Sequence, residues 1–186
     1  MYKVVEWSEN LDLTDFYSEA TRRGFVNNAS QKVMIDCFQN EREWNAWILY
    51  NDENPVGSVA AHSFDDVVPG GYRILTRVCT FAEERKGAGL ITPKRLVAEH
   101  QNLTDQFLLP TCLEWVNNRG RVFATSNKGA EASQRLVHTY YFPTLEKKGI
   151  VSKHIEDILY RYTQQTVWEI HPDKFYDNLA KYPKWQ

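Results

Sequence analysis

The 186 residues carry 22 Lys and Arg against 24 Asp and Glu, a formal charge of −2, with 42% hydrophobic and 25% charged residues. That is the composition of a soluble globular chain long enough to bury its own core, and it reads as a single domain over 1–186. Near-neutral charge and the lack of a recognition motif argue against nucleic acid, and no apolar run reaches the roughly 20 residues of a membrane helix. Cys37, Cys79 and Cys112 are scattered, odd in number and without metal-ligand spacing. With no signal-like N-terminus, they read as reduced thiols of a cytoplasmic protein, and no metal site is expected.

In chain order, Tyr2 to Trp7 reads as a first strand. Thr14 stands where it would cap a helix over Asp15 to Arg23, with Phe16 and Ala20 on one face and Gly24 at its end. Lys32 to Phe38 is a second short helix. Trp44 to Tyr50 and Val56 to Phe64 form a hairpin about the polar turn Asn51-Asp52-Glu53-Asn54-Pro55. After the loop Asp65 to Gly71, Tyr72 to Phe81 is rich in β-branched and aromatic residues and reads as a strand. Arg73 and Arg77 share one of its faces, either to line a site for an acidic group or to pair with a neighbouring helix. The strand runs into Glu83-Glu84-Arg85-Lys86-Gly87-Ala88-Gly89-Leu90, and Thr92-Pro93 opens a helix to about Gln101.

Pro110 interrupts a second helical pattern that continues from Thr111 to Asn118 and ends by Gly120. Arg121 to Ser126 is the next strand. A helix from about Ala130 to Tyr141 follows, closed by Phe142-Pro143, and Leu145 to Gly149 is a short turn. Ile155 to Thr163 and Thr166 to Ile170 read as a closing hairpin about Gln164-Gln165, and Asp173 to Lys181 as a last helix. Tyr160, Arg161, Tyr162 and Trp168 could wall a groove or pack in the sheet. His62 reads as an exposed or hydrogen-bonded histidine before a general base, and His138 as packed or solvated.

A strand, a glycine loop and a helix together make a phosphate cradle, because glycine admits close backbone approach and a helix N-terminus adds partial positive charge. The stretch Glu84 to Gly89 resembles the coenzyme-A loop of the GNAT N-acetyltransferases, Gln/Arg-x-x-Gly-x-Gly/Ala after a central strand. Gly87 and Gly89 fill the glycine positions, and Glu84 stands where the family has Gln or Arg. The element order β-αα-ββ-β-α-β-α-ββ is similar to that family over nearly the whole chain. The resemblance implies an α+β GNAT-like fold, a mixed and mostly antiparallel sheet with splayed central strands, flanked by helices. It implies an acyltransferase that moves an acetyl group from acetyl-CoA to a primary amine, in a small molecule or a peptide, by direct attack. The alternative is a non-catalytic coenzyme-A-binding or interaction module, and a homodimer stays open.

The same resemblance supplies the site residues. Arg85, Lys86, Gly87, Ala88, Gly89 and Leu90 would hold the pyrophosphate, and the main chain at Arg77 and Cys79 the pantetheine amides. Asn127, at the end of the neighbouring strand, matches the family's asparagine at that point. Tyr140 or Tyr141 would protonate the departing thiolate, with Tyr140 preferred because it shares a face with Leu136 that would turn inward.

Overall fold

The computed structural model describes residues 1–8, 10–12, 14, 41–78, 103–128, 137–160 and 162–181, with the backbone alone at 76–78. The expected helices over Asp15–Arg23, Lys32–Phe38 and Thr92–Gln101 lie outside these residues. Seven strands are seen, β1 (Tyr2–Glu6), β2 (Trp44–Asn51), β3 (Asn54–Ser63), β4 (Tyr72–Val78), β5 (Val122–Ser126), β6 (Val151–Tyr160) and β7 (Thr163–Ile170). They form one sheet in the order β1-β2-β3-β4-β5-β7-β6. Three helices accompany it among the described residues: α1 (Leu109–Val116), α2 (Phe142–Lys147) and α3 (Pro172–Leu179).

Alternation along each strand sorts the side chains onto two faces. Ala61, Ile74, Ala124 and Trp168 stand side by side across four strands. They pack with Leu109, Leu113, Phe142, Leu145 and Phe175 from the helices in the larger core cluster. The adjacent row, His62, Arg73 and Phe123, points the other way, where Phe123 joins Phe64, Tyr160 and Val167 in a second cluster. No helix among the described residues is long and apolar enough to cross a membrane.

Two π-helical turns, Thr104–Leu108 and Val137–Tyr141, run directly into α1 and α2. Each of those helices has a proline in its first turn, Pro110 and Pro143. Proline has no N–H, and its ring presses on the carbonyl four residues back, here Gln106 and Thr139; a widened turn at that point relieves both problems. Phe142-Pro143 therefore opens a helix where the sequence suggested that one closes. The expected turn over Leu145 to Gly149 is mostly helix, and the close comes at its end. Gly149 adopts φ +72°, its N–H bonds to Glu146 O at 2.9 Å, and Ile150 N–H bonds to Leu145 O at 3.0 Å. That paired closure needs a left-handed residue, which glycine supplies.

The last hairpin also differs from expectation. Its turn lies between Tyr160 and Thr163, not at Gln164-Gln165, with Tyr162 at φ +70°. Gln165 Nε2 donates to Tyr160 O and Thr163 Oγ1 at 3.2 and 2.9 Å, so its amide braces the turn from within the strand. β6 begins at Val151 and not Ile155. Its register against β7 shifts twice, between Lys153 and Ile155 and between Ile155 and Ile158. Those bulges erase the alternation that would have marked its start.

Candidate active site

The described part of the sheet has one parallel pairing, and it is short: Tyr72 with Val122, Arg73 with Phe123, Ile74 with Ala124. β4 then runs on to Val78 held by β3, through Leu75 with Ala60 to Val78 with Gly57. β5 runs on to Ser126 held by β7, where Ser126 pairs with Thr166. Between the arms, the facing main-chain groups have no ladder partner among the described residues. This is the splay of central strands that the sequence led us to expect. Its closed end is tight. Tyr72 N–H donates to Arg121 O at 2.9 Å, and Gly120 lies so near Gly70 that a Cβ on it would meet Gly70 O at 2.3 Å.

Where the ladder stops, a side chain crosses the gap. Arg73 donates to Thr125 Oγ1 from Nε at 2.9 Å and from Nη2 at 2.7 Å. Its Nη1 lies 3.3 Å from His62 Nε2, and the guanidinium stands 5.0 Å from the Tyr160 ring centre. His62 has no exposed surface, and its Nδ1 lies 2.8 Å from Ser63 O. Nδ1 therefore carries the proton and Nε2 accepts from Arg73. His62 and Arg73 are struts of the sheet. The aromatic stripe of the last hairpin is divided in the same way. Tyr160 packs beneath Arg73, Trp168 lies flat against Phe142 on the other face at 5.3 Å, and Tyr162 is fully exposed at the turn.

The free end of β5 carries a polar group that sequence reasoning passed over. Ser126 Oγ accepts from Trp168 Nε1 at 2.8 Å and lies 2.7 Å from His138 Nδ1. His138 is half-buried on the π-helical turn before α2. Burial, with Lys128 next in weight, holds its imidazole below the ordinary histidine value. Lys128 is itself paired with Asp157 at 2.7 Å. Asn127, the next residue along from Ser126, is half-buried. His138 lies twelve positions on from the serine and sits in the widened turn itself, so no regular helical spacing signals the pair.

The two tyrosines are placed opposite to the facing expected of them. Tyr140 is 45% exposed, and Tyr141 is buried and donates to Asp105 Oδ1 at 3.2 Å. The π-helical turn changes the phase that a regular helix would have given, so a shared face with Leu136 is no guide. Burial pushes the Asp105 carboxyl up to about 6. Burial, with the Asp105 charge beside it, pushes the Tyr141 phenol well above its ordinary value. Arg77 is described as backbone in β4, paired with Ser58. Cys79, Arg85, Lys86, Gly87, Ala88, Gly89 and Leu90 lie outside the described residues.

Among solved structures, an aminoglycoside acetyltransferase, AAC(6')-Ib, crystallised with coenzyme A and kanamycin, matches 96% of this chain and 99% of its own at 12% identity, with a TM-score of 0.54. A Desulfovibrio desulfuricans protein provisionally assigned to the GNAT family as an acetyltransferase matches 91% and 98%, at 12% identity and a TM-score of 0.55. The fold is that of the GNAT acetyltransferases. An uncharacterised Bacillus halodurans protein has it too, matching 96% of this chain and 88% of its own at 11% identity and a TM-score of 0.56. No protein-family model and no curated protein matches the sequence. At such identities the GNAT likeness is one of backbone, so the site has to be argued from this chain's own residues.

Proposed function

We propose that the protein is an acyltransferase that carries an acetyl group from acetyl-CoA to a primary amine. The observation that supports this is the parting of β4 from β5 after three residue pairs. A polar edge left open inside a sheet calls for a partner, and the amides of a pantetheine arm are of the right chemistry and width to be one. In this reading the main chain at Arg77 and Cys79 meets those amides. Arg85 to Leu90 hold the pyrophosphate, and Asn127 borders the arm from the β5 side. The amine attacks the thioester carbonyl directly, a main-chain N–H polarises that carbonyl, and the leaving thiolate takes a proton from Tyr140 or, failing that, Tyr141. The aminoglycoside relative makes a small-molecule amine a sensible first acceptor class, with a peptide amine beside it.

Calorimetry with acetyl-CoA, followed by thiol release with a panel of primary amines, tests the reading. Binding with turnover is expected. Binding without turnover on any amine favours the non-catalytic module, and no binding ends both readings. Replacing Gly87 and Gly89 together with Val is expected to abolish binding while the melting curve stays that of the parent, because branched side chains bar the backbone from the pyrophosphate.

A further inference from the structure

We propose that Ser126 and His138 form the proton-accepting relay of the acyl transfer, with Ser126 meeting the attacking amine and His138 standing behind it. The inference rests on the acyltransferase reading and names the base that reading lacks, since β4 has no carboxylate anywhere along Tyr72–Val78. Three observations carry it. Ser126 is the last residue of the β5 arm, beyond the final pairing with β4, and so stands at the margin of the opening. Its hydroxyl is fixed from two sides, by Trp168 Nε1–H at 2.8 Å and His138 Nδ1 at 2.7 Å. The Trp168 bond uses one lone pair of the oxygen. With Nδ1 of a neutral imidazole accepting the hydroxyl proton, the second lone pair is left for an incoming N–H.

The step balances. The amine nitrogen forms its bond to the thioester carbon and the C–S bond breaks. The surplus N–H proton passes to Ser126 Oγ as the serine's own proton passes to His138 Nδ1. The imidazolium then gives one proton up to solvent, and the thiolate is protonated separately by the acid named above. Among the described residues, the charged groups acting on His138 are Lys128 beside the β5 end and Lys153, Glu156 and Asp157 on β6. The two lysines and burial favour the neutral, proton-accepting ring; the two carboxylates oppose them. Arg73, the neighbouring cation on β4, is turned to the other face by its bonds to Thr125 and His62.

The test compares kcat/KM of the parent, His138→Gln, Ser126→Ala and Ser126→Thr from pH 5 to 9, using acetyl-CoA and the amine turned over fastest. The titration of the amine itself cancels in the ratio of parent to variant. For His138→Gln that ratio should be near one at acid pH, where the parent's imidazole is protonated, and climb to a plateau of roughly 10²-fold above it, the scale of a general base. Ser126→Ala should match His138→Gln, and Ser126→Thr, which keeps the hydroxyl, should recover most of the activity. Acetyl-CoA affinity and melting temperature, followed in parallel, should stay at parental values in Ser126→Thr and His138→Gln. A ratio independent of pH, or full activity in Ser126→Ala, overturns the relay and leaves the acyltransferase reading standing. A parent that does not bind acetyl-CoA, or binds it and acetylates nothing, overturns both.

Discussion

Tyr140 and Tyr141 are neighbours in sequence and strangers in environment. Tyr140 is open to solvent, and its hydroxyl is an O–H donor that the acyltransferase reading assigns to the departing thiolate. Tyr140→Phe is therefore expected to lower turnover by roughly 10²-fold with acetyl-CoA affinity unchanged, in paired kinetics and calorimetry. Tyr141→Phe should instead cost stability, about 1–2 kcal/mol in denaturant unfolding, because it strips a hydrogen bond from a half-buried carboxyl. Full turnover in both variants would leave water as the proton donor. Asp105 itself gives a pH signature. Its folded value of about 6 lies above the ordinary 3.8, so the native state holds this proton more tightly than the unfolded chain does. The advantage is complete below 3.8 and is lost as pH rises through about 6, a loss on the order of 3 kcal/mol. Asp105→Asn keeps an acceptor for Tyr141 and removes the charge. It should unfold later than the parent at pH 7.5 and show a flatter stability profile between pH 4 and 7. None of this was legible in the sequence. Asp105 stands in the polar run Thr104-Asp105-Gln106, which signals no partner, and only the fold brings it under a tyrosine 36 residues on.

At the scale of elements, the strands were legible and the junctions were not. β-branched and aromatic runs gave β1 to β5 within a residue or two over most boundaries, because alternation survives wherever a strand is regular. It failed at β6, where bulges interrupt the period, and around Pro110 and Pro143, where a proline reads as a stop and instead sits in the first turn of a helix. Two glycines separate backbone strain from steric contact. At Gly149 a methyl group would meet nothing within 4 Å, but the residue holds φ +72°, so Gly149→Ala should cost about 1–2 kcal/mol, from left-handed backbone alone. Gly120 carries no such φ, yet its Cβ would fall 2.3 Å from Gly70 O and 3.1 Å from the Tyr72 ring. Gly120→Ala must therefore push the paired ends of β4 and β5 apart. A larger loss, about 3 kcal/mol or more, is expected from urea unfolding. Equal losses in the two variants would mean that the closed end is not tightly held.

For the molecule as a whole, the fold came into view through the resemblance of the glycine loop and element order to the GNAT pattern, and the described strands carry that order. Which residues meet at the opening was a different matter. Ser126, His138 and Trp168 come from a strand end, a widened turn and another strand, and no local spacing records that meeting. The three-pair junction between β4 and β5 also has a consequence in time. Pairings within β2–β3–β4 and β6–β7 close over short loops, whereas Tyr72 meets Val122 only after 50 intervening steps of chain, for three rungs of ladder. Loop-closure entropy must be met before so few contacts return anything, which makes the joining of the two half-sheets a late event in folding. Contacts made late are absent from the transition state. Gly120→Ala should accordingly quicken unfolding and leave the refolding rate almost unchanged in stopped-flow chevrons, while Ala61→Gly in the β3 hairpin should slow refolding. Acetyl-CoA, which the acyltransferase reading seats in the opening, should leave the refolding rate unchanged and slow unfolding in the same experiment.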